Sequence, residues 1–170
     1  MTPRRLPRLI YWDSTCFLAW LRAEVGRVKD CRDVLDAARR GELRIATSAI
    51  TLAEVVKLDK GKLELTQDQE RKITRFFQRS YIVVIQVSRA VAEEARALIW
   101  KHGLNNRDAV HVATARVKGI TEIHAYDQHF LNLDGQFSNL SVRKPQVLQP
   151  SLPLETPGQT IEDLDDDRVH

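Results

Sequence analysis

Four of the 23 acidic residues are set apart by their neighbours. Asp13 closes the apolar run 9–12, and Asp127 closes the apolar run 122–126. Glu54 lies between Ala53 and Val55 in a stretch with helical spacing. Asp108 sits in the first turn of NNRDAVHVATARVKG, residues 105–119. Each has an ordinary reading. Asp13 and Asp127 suit helix N-caps, Asp108 suits the positive end of a helix dipole, and Glu54 suits a surface ion pair. The chemistry changes if they meet. Four gathered carboxylates repel one another, and some would take up protons. A divalent cation resolves the conflict. Hard oxygen donors without Cys or a His cluster favour Mg²⁺ or Mn²⁺ over Zn²⁺. Such an ion polarises a phosphoryl oxygen and activates water for in-line attack on a phosphodiester. Spacing alone gives this reading low specificity, because 23 acids allow many arrangements.

The elements between these acids are predicted to bring them together. Short apolar runs at 9–12, 43–47, 81–87, 122–126 and 140–143 read as strands, the third being a β-branched run with no breaker. Helical spacing covers 15–25, 28–40, 49–58, a segment opened by Thr66 and Gln69, a segment opened by Ser88, and 105–119. A short helix is predicted over 127–133. Gly26, Gly41, Gly61, Gly103 and Gly119 fall where helix stops are wanted. Strands separated by helices imply a mostly parallel sheet covered on both faces. Ligands of such sheets gather beyond the carboxyl ends of the strands. Asp13 and Asp127 hold such ends, Asp108 starts a helix facing the same edge, and Glu54 must reach it from the side.

Length bounds the rest. The 170 residues suit one domain over 1–148 with a proper core. Residues 149–170 carry six acids and one base, a net of −5, which leaves +8 on the body of a chain whose total is +3. That tail, with Pro150, Pro153 and Pro157, is predicted to be disordered. A basic body is compatible with a nucleic-acid partner, although basic surfaces are often merely solvated. No apolar run is long enough to cross a bilayer, and the N-terminal segment reads as neither signal nor anchor. Cys16 and Cys31 lack metal-ligand spacing and read as buried small hydrophobes, which makes the cytoplasm the default location.

The segments IYWDSTCFLAWL, TSAITLAEVVK, NNRDAVHVATA and IHAYDQHF resemble, in order and spacing, the acidic motifs of PIN-domain nucleases. The likeness is greatest to the VapC-like toxin ribonucleases of bacterial toxin–antitoxin pairs, and it spans residues 9–142. The third motif is the most specific. The resemblance implies a three-layer α/β/α sandwich on a mostly parallel sheet and Mg²⁺- or Mn²⁺-dependent hydrolysis of RNA. It carries Asp13, Glu54, Asp108 and Asp127 over as catalytic and metal-binding residues, with Asp13 and Asp108 the main ligands. It further implies a homodimer and an antitoxin partner that covers the site. Thr15 matches a position where a small polar residue supports the first acid. One position departs: the family often has Thr two residues before the last acid, and here Ala125 stands there.

His111 shares a helical face with Asp108 and reads as a packed, hydrogen-bonded wall residue. His129 reads as exposed, and Asn105 and Asn106 as helix-entry residues. Arg107 divides evenly between a phosphate contact and a solvated side chain. Trp12, Trp20 and Trp100 read as core or interface. The competing function is a PIN-like module that binds RNA or serves assembly without turnover; it predicts lost acids, and all four are present. A phosphate-receiver domain is disfavoured because Val87 and Ser88, rather than Asp, follow the central strand. A dinucleotide-binding domain is disfavoured because no Gly-rich turn follows the first strand.

Overall fold

The computed structural model describes residues 6–56 and 65–147. In chain order its elements are β1 (Arg8–Trp12), α1 (Ser14–Leu21), α2 (Val28–Arg39), β2 (Leu43–Ser48), α3 (Ile50–Glu54), α4 (Gln67–Phe77), β3 (Ile82–Ile85), α5 (Arg89–His102), α6 (Asn106–Val117), β4 (Glu122–His124), α7 (Gln128–Leu131) and β5 (Ser141–Arg143). The strands form one sheet of order β3-β2-β1-β4-β5. Every pairing is parallel, with Tyr11 opposite Ala46 on one side and Ile123 on the other. Strand order reverses direction at β1, so the crevice between the ends of β1 and β4 is where such a sheet opens to a ligand.

Alternation along β1 divides the core. Ile10 and Trp12 face one layer with Phe17, Trp20, Val34, Leu35 and Phe76 from α1, α2 and α4. Tyr11 faces the other layer with Val91, Leu98, Val112, Ala113 and Phe130 from α5, α6 and α7. The architecture is therefore the expected three-layer α/β/α sandwich. Cys16 and Cys31 are both free and buried. Trp12 and Trp20 are core residues, whereas Trp100 is 76% exposed under the Arg96 guanidinium.

Most predicted elements stand within a few residues of their expected bounds, and the Thr66–Gln69 capping box and the Ser88 cap are both formed. Two helices are shorter. α1 stops at Leu21, and Val25, the last residue of the predicted span, is 98% exposed. The Glu24 amide bonds back to the Ala19 carbonyl and the Ala23 amide to Trp20, closing the helix with Ala23 at φ 51. This is a left-handed helix stop with Ala where Gly is usual, so nothing in the residue types announces it. α3 ends at Glu54, with Val55 leaving helical geometry at φ −87, ψ 61. Its N-cap is Ala49 and makes no side-chain cap; Ser48 ends β2 and accepts only a long 3.4 Å bond from the Ile50 amide. The expected end at Leu58, the stop at Gly61 and the 149–170 tail lie outside the described residues.

Candidate active site

Asp13 follows the last residue of β1 and is 3% exposed. It caps α1: its Oδ1 accepts from the Thr15 amide at 3.0 Å, the Thr15 hydroxyl at 2.6 Å and the Cys16 amide at 3.3 Å. Burial pushes its carboxyl up to about 6, against the pull of His111 and of these donors. The Thr15 hydroxyl also accepts from the Tyr126 amide at 2.8 Å. One side chain thus ties the first acid to the segment beyond β4, which is the supporting role its position suggested.

Asp127 caps α7, its Oδ1 accepting from His129 N at 2.8 Å and Phe130 N at 3.3 Å. Ala125, where the family often has Thr, is buried, and among the described residues the bonds given for the Asp127 carboxylate come from these backbone amides. Asp108 is the third residue of α6. Asn105 holds it twice, accepting from its amide at 2.9 Å and donating Nδ2 to its Oδ2 at 2.6 Å. Partial burial raises the Asp108 carboxyl, Asn105 opposes the rise, and the charge of Asp127 adds to it.

Glu54 closes α3, and its side chain is only 8% exposed. Its Oε1 accepts from Arg107 Nε at 2.6 Å, and its Oε2 lies 2.8 Å from His111 Nε2. Burial alone would raise this carboxyl; the bonds and charges of His111 and Arg107 outweigh it and hold it down at about 2. In place of the surface ion pair that was the ordinary alternative for Glu54, its buried carboxylate meets the buried His111 ring on one side and the exposed Arg107 on the other. His111 is indeed a packed wall residue, with its other nitrogen 2.7 Å from the Tyr11 hydroxyl. Tyr11, buried behind the pocket wall, is the supporting residue that spacing did not reveal. It lies 100 residues from His111, and in the sequence it is one more apolar-run residue.

The four acids line a single pocket of ≈ 520 Å³ together with Ser14, Thr15, Asn105, Arg107, His111 and His129. Its oxygen-rich lining, with two carboxyls raised by burial, has the donor chemistry that a hard divalent cation would satisfy. Among the described residues, however, no three acid, His or Cys side chains stand close enough to grip an ion as they are placed here. Glu54 in particular has both oxygens engaged.

The same fold occurs in solved structures, among them the following three. One is VapC20 of Mycobacterium tuberculosis, a toxin that cleaves the sarcin–ricin loop, at 20% identity and TM-score 0.58 over 78% of this chain and 98% of that one. Another is a toxin–antitoxin complex from Klebsiella pneumoniae, at 22% identity and TM-score 0.58 over 81% and 99%. The third is VapBC2 from Rickettsia felis, bound to a DNA fragment from their promoter, at 19% identity and TM-score 0.57 over 80% and 98%. A sequence search among curated proteins finds no match. The PIN-domain family model matches residues 10–136, and the chain belongs to that family.

Proposed function

We propose that the protein is a metal-dependent endoribonuclease that hydrolyses RNA phosphodiester bonds, acting as the toxin of a toxin–antitoxin pair in the cytoplasm. The observation that carries this reading is the convergence of Asp13, Glu54, Asp108 and Asp127 on one pocket at the opening between β1 and β4. Membership of the PIN-domain family and the likeness to toxin folds support it. Asp13 and Asp108 would be the main ligands of Mg²⁺ or Mn²⁺, with Glu54 and Asp127 completing the set. Once bound, the ion supplies Lewis-acid polarisation of the phosphoryl oxygen and an acidified water. The chain's own residues do the placing. Thr15 and the Cys16 amide fix Asp13 Oδ1, Asn105 fixes Asp108, and the first turn of α7 fixes Asp127. Arg107, 67% exposed at the rim, would meet a substrate phosphate. The antitoxin partner and the homodimer belong to the same reading. Among the described residues no helix is long and apolar enough to cross a membrane.

One observation favours the second reading, a PIN-like module that binds RNA without turnover: the acids do not converge tightly enough to grip an ion as they stand. Cleavage of a mixed RNA pool separates the two readings. Purified protein is assayed with Mg²⁺, Mn²⁺ or EDTA beside Asp13→Ala and Asp108→Ala. Cutting that needs the metal and is lost in both variants is the expected result. RNA binding without cutting, under any metal, would establish the second reading instead.

A further inference from the structure

The two oxygens of Glu54 have unlike neighbours. Behind Oε2 the contacts are fixed. Ser48 N–H reaches the Tyr11 hydroxyl at 3.0 Å, the hydroxyl lies 2.7 Å from His111 Nδ1, and His111 Nε2 lies 2.8 Å from Glu54. Ser48 N–H donates to the Tyr11 hydroxyl, and His111 links that hydroxyl to the carboxylate, with Nε2–H the donor to Oε2. Tyr11, Ser48 and His111 are all buried, and the imidazole stands edge-on to Tyr11 and Phe130 at 5.8 and 6.1 Å. Breaking this side means opening the core. Among the described residues, Oε1 is met by the Arg107 guanidinium, whose side chain is 67% exposed on the first turn of α6. An exposed cation exchanges partners at little cost, and guanidinium matches phosphate as well as carboxylate.

We propose that Arg107 is an exchangeable latch on Glu54. In the free protein it occupies Oε1; when a nucleic-acid strand arrives, it transfers to a backbone phosphate and leaves Oε1 to a divalent cation, while His111 keeps Oε2 in place. The inference rests on the metal-dependent reading above and adds a consequence to it. Phosphate binding and metal binding assist each other, and by linkage the assistance is reciprocal. Arg107 is thus a positioning residue for the metal site as well as a contact for substrate.

The test is a double-mutant cycle read by Mn²⁺ titration calorimetry on full-length protein without RNA, using wild type, Arg107→Gln, Glu54→Gln and the double variant. Arg107→Gln is expected to tighten Mn²⁺ binding about five-fold or more in the wild-type background and to change nothing when Glu54 is already Gln. An uncleavable 2′-O-methyl RNA should tighten Mn²⁺ binding more in wild type than in Arg107→Gln. An equal gain in both Glu54 backgrounds would trace the effect to the general field of a lost cation and overturn the latch alone. So would no gain at all. Failure of all four folded proteins to bind Mn²⁺ would overturn the latch and the metal-dependent reading together.

Discussion

Asp13 shows how a residue serves the site at the expense of the fold. Its carboxyl sits at about 6, against 3.8 ordinarily, because burial disfavours the charge. Between those values the folded chain binds a proton that the unfolded chain has released. Stability therefore falls as pH rises from about 4 to about 6, then levels. The shift corresponds to about 3 kcal/mol of destabilisation at neutral pH. Asp13→Asn keeps an acceptor for Thr15 and Cys16 and removes the buried charge. We expect it to be more stable than wild type in metal-free urea melts at pH 7 by an amount of that order, with the difference vanishing near pH 4. An equal or lower stability at pH 7 would contradict the account. Glu54 carries the opposite sign. Its carboxyl at about 2, against 4.5, stabilises the fold above pH 4.5, and that contribution is lost as pH falls toward 2. These opposite signs were not legible in the sequence, where all four acids look alike. What separates them is that burial prevails at Asp13 and is outweighed at Glu54 by the His111 and Arg107 contacts.

At the scale of elements, α6 was legible because its signals are local. Gly103 closes α5 at φ +66, Asn105 caps α6, and Asp108 stands at the third helical position where the cap reaches it. The α3 helix was legible only in part. Its start is held by the Ala49 amide on the Ile85 carbonyl, and the partners of Glu54 come from α6, some fifty residues further on. The early end of α1 was hidden because Ala23 adopts the left-handed turn without the Gly that would signal it. The cap of α6 joins fold to site and yields a prediction. Asn105→Ala removes both bonds to Asp108 and should cost about 1 kcal/mol in denaturant melts. Asn105→Asp keeps the acceptor for the Asp108 amide but sets one carboxylate against another. It should leave stability nearer to wild type and move the Asp108 titration further up, followed by carboxyl carbon shifts in NMR. If the Asp variant is as unstable as the Ala variant, the acceptor bond is not what holds this helix start.

For the whole molecule, the sheet order that opens between β1 and β4 turns four scattered acids into one pocket, and that much followed from strands alternating with helices. Charge is distributed at the same scale. Residues 149–170 carry a net of −5 and the rest of the chain +8. A basic body facing a polyanion releases counterions on binding, so its affinity falls with salt in proportion to the phosphates neutralised, with a slope of about −0.7 per contact for single strands. If the acidic segment occupies that basic surface, it competes with RNA for the same cations. Ending the chain at Gln149 should then raise affinity for single-stranded RNA at low salt and steepen the salt dependence, because more phosphate contacts become available. The two proteins should converge as salt rises, since interactions beyond about 10 Å are largely screened at 0.1 M. Binding is best followed by fluorescence anisotropy with EDTA present, which keeps cleavage and metal coordination out of the comparison. Superimposable salt curves for the two proteins would mean that the acidic segment stays in solvent and that the +8 body meets RNA unopposed in the intact chain.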